Sequence, residues 1–274
     1  MSAPSSQYQQ ASGQFRSSQH QENIFYKILY PKEFTREKCV HLYFCHGAVE
    51  YHERHLDFIS KFFAHSEYNI IINFFDLVGH GHSGGSRVYI QNFSDFCLDY
   101  IQLMNELESK YQLQSLYPGK TVFGSHSLGG LITLKILLDF KEQIPFKPCA
   151  AFYSNPCLYP TLKIPKPIES IMHKLKYGFE KIRIPSFYSA SDITSLEPLA
   201  YSFENDPMIS KFMTLALARE IIRETRHVKG LAYYIDVPSL FLLSKNDVIV
   251  DPKGATLFVK GIDKELSTLR IYKH

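Results

Sequence analysis

The segment Gly124-Ser125-His126-Ser127-Leu128-Gly129-Gly130 lies between the apolar run Thr121-Val122-Phe123 and a helix-like run from Leu131 to Leu138. A serine in that position occupies a tight strand-to-helix turn. Its hydroxyl stands above the sheet, with the positive end of the helix just behind it. Small residues are needed at Ser125 and Gly129, where the turn brings the strand and helix backbones close together. The pattern is Gly-x-Ser-x-Gly, with Ser125 in place of the first glycine. An ordinary βα turn carries the same residue types, so the rest of the chain decides what this serine is for.

Short β-type runs alternate with longer helical patterns, which predicts βαβ units and a mostly parallel sheet. Candidate strands are Ile24–Tyr30, Val40–Cys45, Asn69–Phe75, Thr121–Gly124, Ala150–Tyr153, Ser239–Leu243 and Leu269–Tyr272. Candidate helices are His55–His65, Phe93–Lys110, Gly129–Leu138, Pro207–Val228 and Pro252–Val259. The last has Asp251 as its cap and Pro252 in the first helical position. Residues 1–22 are rich in Ser and Gln and predict a disordered tail, leaving 23–274 as one domain.

Composition narrows the function classes. A net charge of +3 without a dense Lys/Arg block argues against nucleic-acid binding. The five cysteines show no paired-cysteine spacing, which reads as buried thiols in a reducing compartment and as neither a zinc site nor a disulfide frame. No run approaches the roughly 18–20 apolar residues of a membrane span, and no signal-peptide core is present. A cytoplasmic protein is expected, with transient contact at a membrane surface. Twenty-one Phe and eighteen Tyr suit apolar ligands as well as a core.

The sheet pattern breaks between about residues 156 and 215, a proline-rich stretch in the position of a lid over an active site. Within it Ile168, Ile171, Met172, Leu175 and Phe179 form one apolar helical stripe.

Two further segments fit the serine. His46-Gly47-Ala48 follows the Val40–Cys45 strand, where an oxyanion-hole loop belongs, and the second donor usually comes from the residue after the nucleophile. That nominates the backbone N–H groups of Ala48 and Leu128. Asp247 stands just past the carboxyl end of the Ser239–Leu243 strand, where a carboxylate can orient a histidine base.

On these residues the chain resembles the monoacylglycerol lipase-like α/β-hydrolases, also described as lysophospholipase or serine aminopeptidase-type hydrolases, from about Ile24 to its last residue. The stretch from His46 to His55 is similar to the family's HGxxEHxxRY segment, departing at Tyr51 and His55. Asp76 to Arg87 fits DxxGxGxSxGxR throughout. The serine turn, Asn205-Asp206-Pro207 and Asp247 complete the set in order. The resemblance implies an α/β-hydrolase fold with an inserted helical lid, Ser127 as nucleophile, Asp247 as triad acid, Ala48 and Leu128 as oxyanion donors, no cofactor, and a lipid ester such as a monoacylglycerol or lysophospholipid as substrate. A short-chain carboxylesterase or a peptidase of the same fold is the alternative.

The family's histidine base follows the last strand in a pattern like Tyr-x-x-x-x-His. Here Tyr272 is followed by Lys273 and His274, so His274 is the candidate base and the family's terminal helix is expected to be absent. Three readings stay open: a chain cut short before its base, His274 acting from the chain end, or a catalytically dead binding protein that keeps the fold. His80 and His82 lack any accompanying metal-ligand pattern, and no metal is expected. Glu50, Glu53 and Arg54 are expected to brace the oxyanion loop. His126 is expected to pack inside the elbow, pointing away from Ser127.

Overall fold

The computed structural model describes residues 8–33, 38–63, 66–161, 180–185 and 188–273. Eight strands form one sheet: β1 (Tyr8–Arg16), β2 (Asn23–Pro31), β3 (Cys39–Cys45), β4 (Asn69–Phe75), β5 (Gly119–His126), β6 (Pro148–Ser154), β9 (Ser239–Ser244) and β10 (Ser267–Tyr272). A short pair, β7 (Arg183–Pro185) and β8 (Phe212–Thr214), stands apart from it. The order in the large sheet is β1-β2-β4-β3-β5-β6-β9-β10. The β1–β2 and β2–β4 pairs are antiparallel, and every other pair is parallel.

Parallel strands need crossovers, and the helices supply them. They are α1 (Glu53–Phe63), α2 (Phe93–Tyr111), α3 (Leu113–Leu116), α4 (Leu128–Asp139), α5 (Ala190–Ile193), α6 (Glu197–Asn205), α7 (Leu215–Lys229) and α8 (Pro252–Val259). Both faces of the sheet are covered, as the largely apolar runs of β3 and β4 require. Tyr43 and Cys45 point into the large core shared with α2, α4 and α7. Their neighbours Leu42 and Phe44 point the other way, onto Leu56 and Ile59 of α1. Burying residues of both parities leaves β3 and β4 no solvent face.

Two sequence expectations are corrected here. Tyr8–Arg16, placed in the disordered tail, forms a full edge strand paired residue by residue with β2. The Ser and Gln side chains are tolerated because an edge strand keeps one side open to water. The turn behind it is pinned: Ser17 Oγ donates to Asp99 Oδ1 at 2.5 Å, and His20 Nε2 lies 2.8 Å from Asp99 Oδ2, both reaching across to α2. The helix expected over Pro207–Val228 begins only at Leu215. Thr214 caps it, its Oγ1 accepting from Leu217 N–H at 3.3 Å, and the residues just before it pair with β7 instead. The stripe from Ile168 to Phe179 lies outside the described residues. Among the described residues no helix is long and apolar enough to cross a membrane.

Candidate active site

Strand β5 ends at His126 and α4 begins at Leu128, so Ser127 alone makes the turn. Its backbone sits at φ 49° and ψ −114°, a sparsely populated region for any residue but glycine. Three hydrogen bonds hold it there. Ser127 N–H donates to Ser154 O, and Ser127 O accepts from the N–H groups of Gly130 and Cys157, all at 2.9 Å. A Cβ at Gly129 would run into the carbonyl groups of Cys45 and His46, which is why the last small residue of the pattern is obligatory. At the first position the serine is accommodated: Ser125 is buried, and its Oγ donates to Phe152 O at 3.2 Å.

The loop after β3 is fixed by two side chains. His46 is buried, and its Nδ1 lies 2.7 Å from Gly47 O while its Nε2 accepts from Leu77 N–H at 3.0 Å. These partners define the neutral tautomer with the proton on Nδ1, and burial lowers the pKa in the same sense. Glu50 Oε1 accepts from Gly47 N–H at 2.6 Å. In a trans peptide the C=O and the following N–H point in opposite directions. Anchoring Gly47 O on His46 therefore turns the Ala48 N–H the other way. A Cβ on Gly47 would stand 3.1 Å from Ser127 Cβ, which shows how closely this loop lies against the serine. Among the described residues, neither the Ala48 nor the Leu128 N–H takes a hydrogen-bond partner.

Glu50 also lies 2.8 Å from His55 Nε2, and the His55 ring packs on His126 with centroids 5.2 Å apart. Burial pushes the Glu50 carboxyl up, but the His55 pairing outweighs it and holds the group well below the ordinary carboxylate range. Of the expected braces, Glu50 holds the loop directly. Glu53 accepts instead from Tyr51 OH at 3.3 Å, and the Arg54 guanidinium lies 5.1 Å from the Phe203 ring centre.

Ser127, Ala48 and Leu128 line one pocket of about 110 Å³. His126 lines it too, with its ring packed on His55. Its Nδ1 lies 3.3 Å from Ser154 Oγ. Asp247 is half-buried past the end of β9, and its Oδ1 accepts from the N–H groups of Ile249 and Val250, both at 2.8 Å. Those two residues also line the pocket, so the carboxylate sits at its rim. His274 lies outside the described residues. Most of the remaining wall is apolar and comes from the lid and α7, including Phe203, Met213 and Ile221. Sequence reasoning left these residues unassigned; the only signal was apolar character in a proline-rich stretch. Cys157 is a wall residue whose thiol burial pushes up to about 12, with the Asp247 charge adding to the effect. It stays protonated and does not compete with Ser127 as a nucleophile.

His80 and His82 are not brought together as ligands. Buried His80 has Nδ1 2.9 Å from Val78 O, whereas exposed His82 has Nε2 3.7 Å from Glu53 Oε1. Asp76, at their centre, accepts from His52 N–H and Nδ1 and from His82 N–H, and shapes the glycine-rich turn.

A mostly parallel sheet flanked by helices, with a serine on a strained strand-to-helix turn, defines the α/β-hydrolase fold. The chain belongs to the hydrolase family described as "Serine aminopeptidase, S33", whose model matches residues 36–274. Among its relatives is the monoglyceride lipase homolog of Monkeypox virus, 24% identical over 261 residues, covering 92% of this chain and 87% of that one. Human monoglyceride lipase is 24% identical over 240 residues, covering 85% and 73%. Among solved structures, a soluble variant of monoglyceride lipase from Saccharomyces cerevisiae in complex with a substrate analog superposes with a TM-score of 0.76 at 19% identity, covering 99% of this chain and 87% of that one. The resemblance drawn from the motifs and the fold expected from it are borne out.

Proposed function

We propose that this protein hydrolyses the carboxylic ester of a neutral lipid, a monoacylglycerol, through an acyl-enzyme on Ser127. Ser127 Oγ attacks the ester carbonyl, and a histidine takes its proton. The developing oxyanion is received by the N–H groups of Ala48 and Leu128. As the intermediate collapses, the ester C–O bond breaks and the histidine gives its proton to the departing glycerol oxygen; water, deprotonated by the same histidine, then attacks the acyl-enzyme, and the proton returns to Ser127 Oγ as the fatty acid leaves. Asp247 orients the histidine and stabilises its charged form; His274, which follows Asp247 in the chain, is the candidate. The relatives named above, which are monoglyceride lipases or a homolog of one, support this reading.

The observation that carries the substrate choice is the charge of the pocket wall. Glu50 is its one charged side chain among the described residues, and no lysine or arginine lines it. A lysophospholipid would bring its phosphate toward a carboxylate with no cation to meet it, whereas a glycerol hydroxyl would meet an acceptor.

The test is hydrolysis of 1-oleoylglycerol, a lysophosphatidylcholine and p-nitrophenyl acetate by the chain and by Ser127→Ala, with fluorophosphonate labelling of both. Turnover of the glyceride above the other two, with labelling lost in Ser127→Ala, is expected. A preference for the acetate points to a short-chain esterase, and preference for the lysophospholipid overturns the charge argument. Equal labelling of the two proteins removes Ser127 from its role.

A further inference from the structure

Two β-branched residues carry a left-handed backbone, Val49 at φ 60° and Val88 at φ 51°. For valine this conformation is strained and persists only where its surroundings impose it. Both valines offer their carbonyls to the same short strap, the return segment of the lid leading into α7. Ser210 N–H donates to Val49 O at 2.9 Å. Thr214 reaches Val88 O twice, through Oγ1 at 2.6 Å and through its N–H at 3.3 Å.

Val49 directly follows Ala48, one of the two assigned oxyanion donors. It borders the pocket that holds Ser127 and also a second cavity, about 230 Å³, that Val88, Ser210 and Phe212 line beneath the strap. Close packing on that second side therefore does not hold the valine; the bond from Ser210 does. Rotation about the Val49 N–Cα bond turns Ala48 against Glu50. Glu50 is pinned by Gly47 N–H and His55, so the rotation is taken up at Ala48, against the His46 contact on Gly47 O.

Resting on the Ser127 reading above, we propose that Val49 is a positioning residue for the oxyanion hole, kept in its strained conformation by Ser210 N–H. Seating of the lid strap and aiming of the Ala48 N–H are then one event. A strap that lifts lets Val49 relax and withdraws a donor from the transition state while leaving the apolar wall of Ile221, Ile249 and Val250 in place.

The experiment is a double-mutant cycle on p-nitrophenyl butyrate, with kcat and KM determined separately. Ser210→Pro deletes the donor, and Ser210→Ala keeps it. Val49→Gly keeps the acceptor carbonyl but removes the steric cost of a positive φ. Ser210→Pro is expected to lower kcat on the order of 10- to 100-fold with KM within about twofold, and Ser210→Ala to stay within about twofold. In the Val49→Gly background the same proline should cost less than about threefold. If the proline variant does not fold, an α-hydroxy acid at position 210, which replaces the same N–H with an ester oxygen, takes its place in the cycle. Equal losses in both backgrounds, a loss carried by KM, or no loss overturns the coupling. A wild-type chain whose turnover does not depend on Ser127 overturns the nucleophile reading and this one with it. That case is recognised by a Ser127→Ala variant as active as the parent.

Discussion

His46 Nδ1 lies 2.7 Å from the carbonyl oxygen of Gly47, and this contact sets the direction of the peptide that ends in the Ala48 N–H. The same ring takes the Leu77 N–H on its other nitrogen, so it bridges the ends of β3 and β4. Replacing it with Phe keeps a ring in the space but frees the peptide and orphans two backbone groups. Loss of one oxyanion donor typically costs 10²–10³ in kcat. His46→Phe is expected to lower kcat by up to about 10²-fold with KM little changed, read from steady-state kinetics on a soluble ester. A loss carried mainly in KM would contradict this assignment.

Asp247→Asn separates the charge of this residue from its turn. An amide oxygen can still accept the N–H groups of Ile249 and Val250, so the loop should survive and circular dichroism should not change. If Asp247 orients the base, kcat falls on the order of 10⁴-fold, as for other triads that lose this carboxylate. A loss of under about tenfold would mean that another group does the work.

Gly129→Ala and Gly230→Ala make a matched pair. The first places a methyl against the backbone carbonyls of Cys45 and His46, which no rotamer change can relieve, and should cost at least about 2 kcal/mol in urea unfolding. The second meets nothing within 4 Å, at a right-handed φ of −81°, and should be neutral or stabilising by up to about 1 kcal/mol.

Acid sensitivity has a definite sign. Burial lowers the pKa of His41, His46, His80 and His126, with His80 brought to about 3. Each binds its proton more readily when unfolded, so stability is lost as pH falls below about 6.5. For His20, burial acts downward, but pairing with Asp99 prevails and the pKa is raised. Its contribution is complete below about 6.5 and fades as pH rises through the raised value. The thermal midpoint should therefore drop between pH 7 and pH 5. His80→Asn should flatten that drop and His20→Gln should steepen it, as read by scanning calorimetry across the range.

Lys135 is almost wholly buried, its Nζ 2.7 Å from Asp139 and 2.8 Å from Glu224, and it joins α4 to α7. Lys135→Met takes one of two cations from buried Glu224: Oε1 keeps Arg223 at 2.8 Å, and Oε2 loses its partner. Breaking such a pair costs about 3 kcal/mol or more; here Asp139 is partly open to water and softens the loss, so about 2–3 kcal/mol is expected in urea unfolding.

Much of this architecture is readable from local patterns. Asn69–Phe75 and Pro252–Val259 carry the same bounds in sequence and structure, because an apolar run between turn residues and a capped helix start are local signals. Ser127 is legible for the same reason: strand, small residues and helix follow one another directly. What sequence reading missed depends on distant partners. Gln-rich β1 has no local strand signal and exists because β2 offers a free edge and Asp99 waits for Ser17. The split at Thr214 depends on β7 pairing with β8. The Glu50–His55–His126 stack joins residues from two crossovers, and no spacing announces it.

The edge position of β1 bears on how this protein is handled at the bench. A gene trimmed to begin at Asn23, as a Ser/Gln-rich leader invites, would strip nine paired residues from β2 and bare its row of N–H and C=O groups. Exposed ladders of this kind recruit other chains. The shortened product would then collect as inclusion bodies, an outcome easily blamed on its apolar pocket rather than on a missing strand at the edge of the sheet.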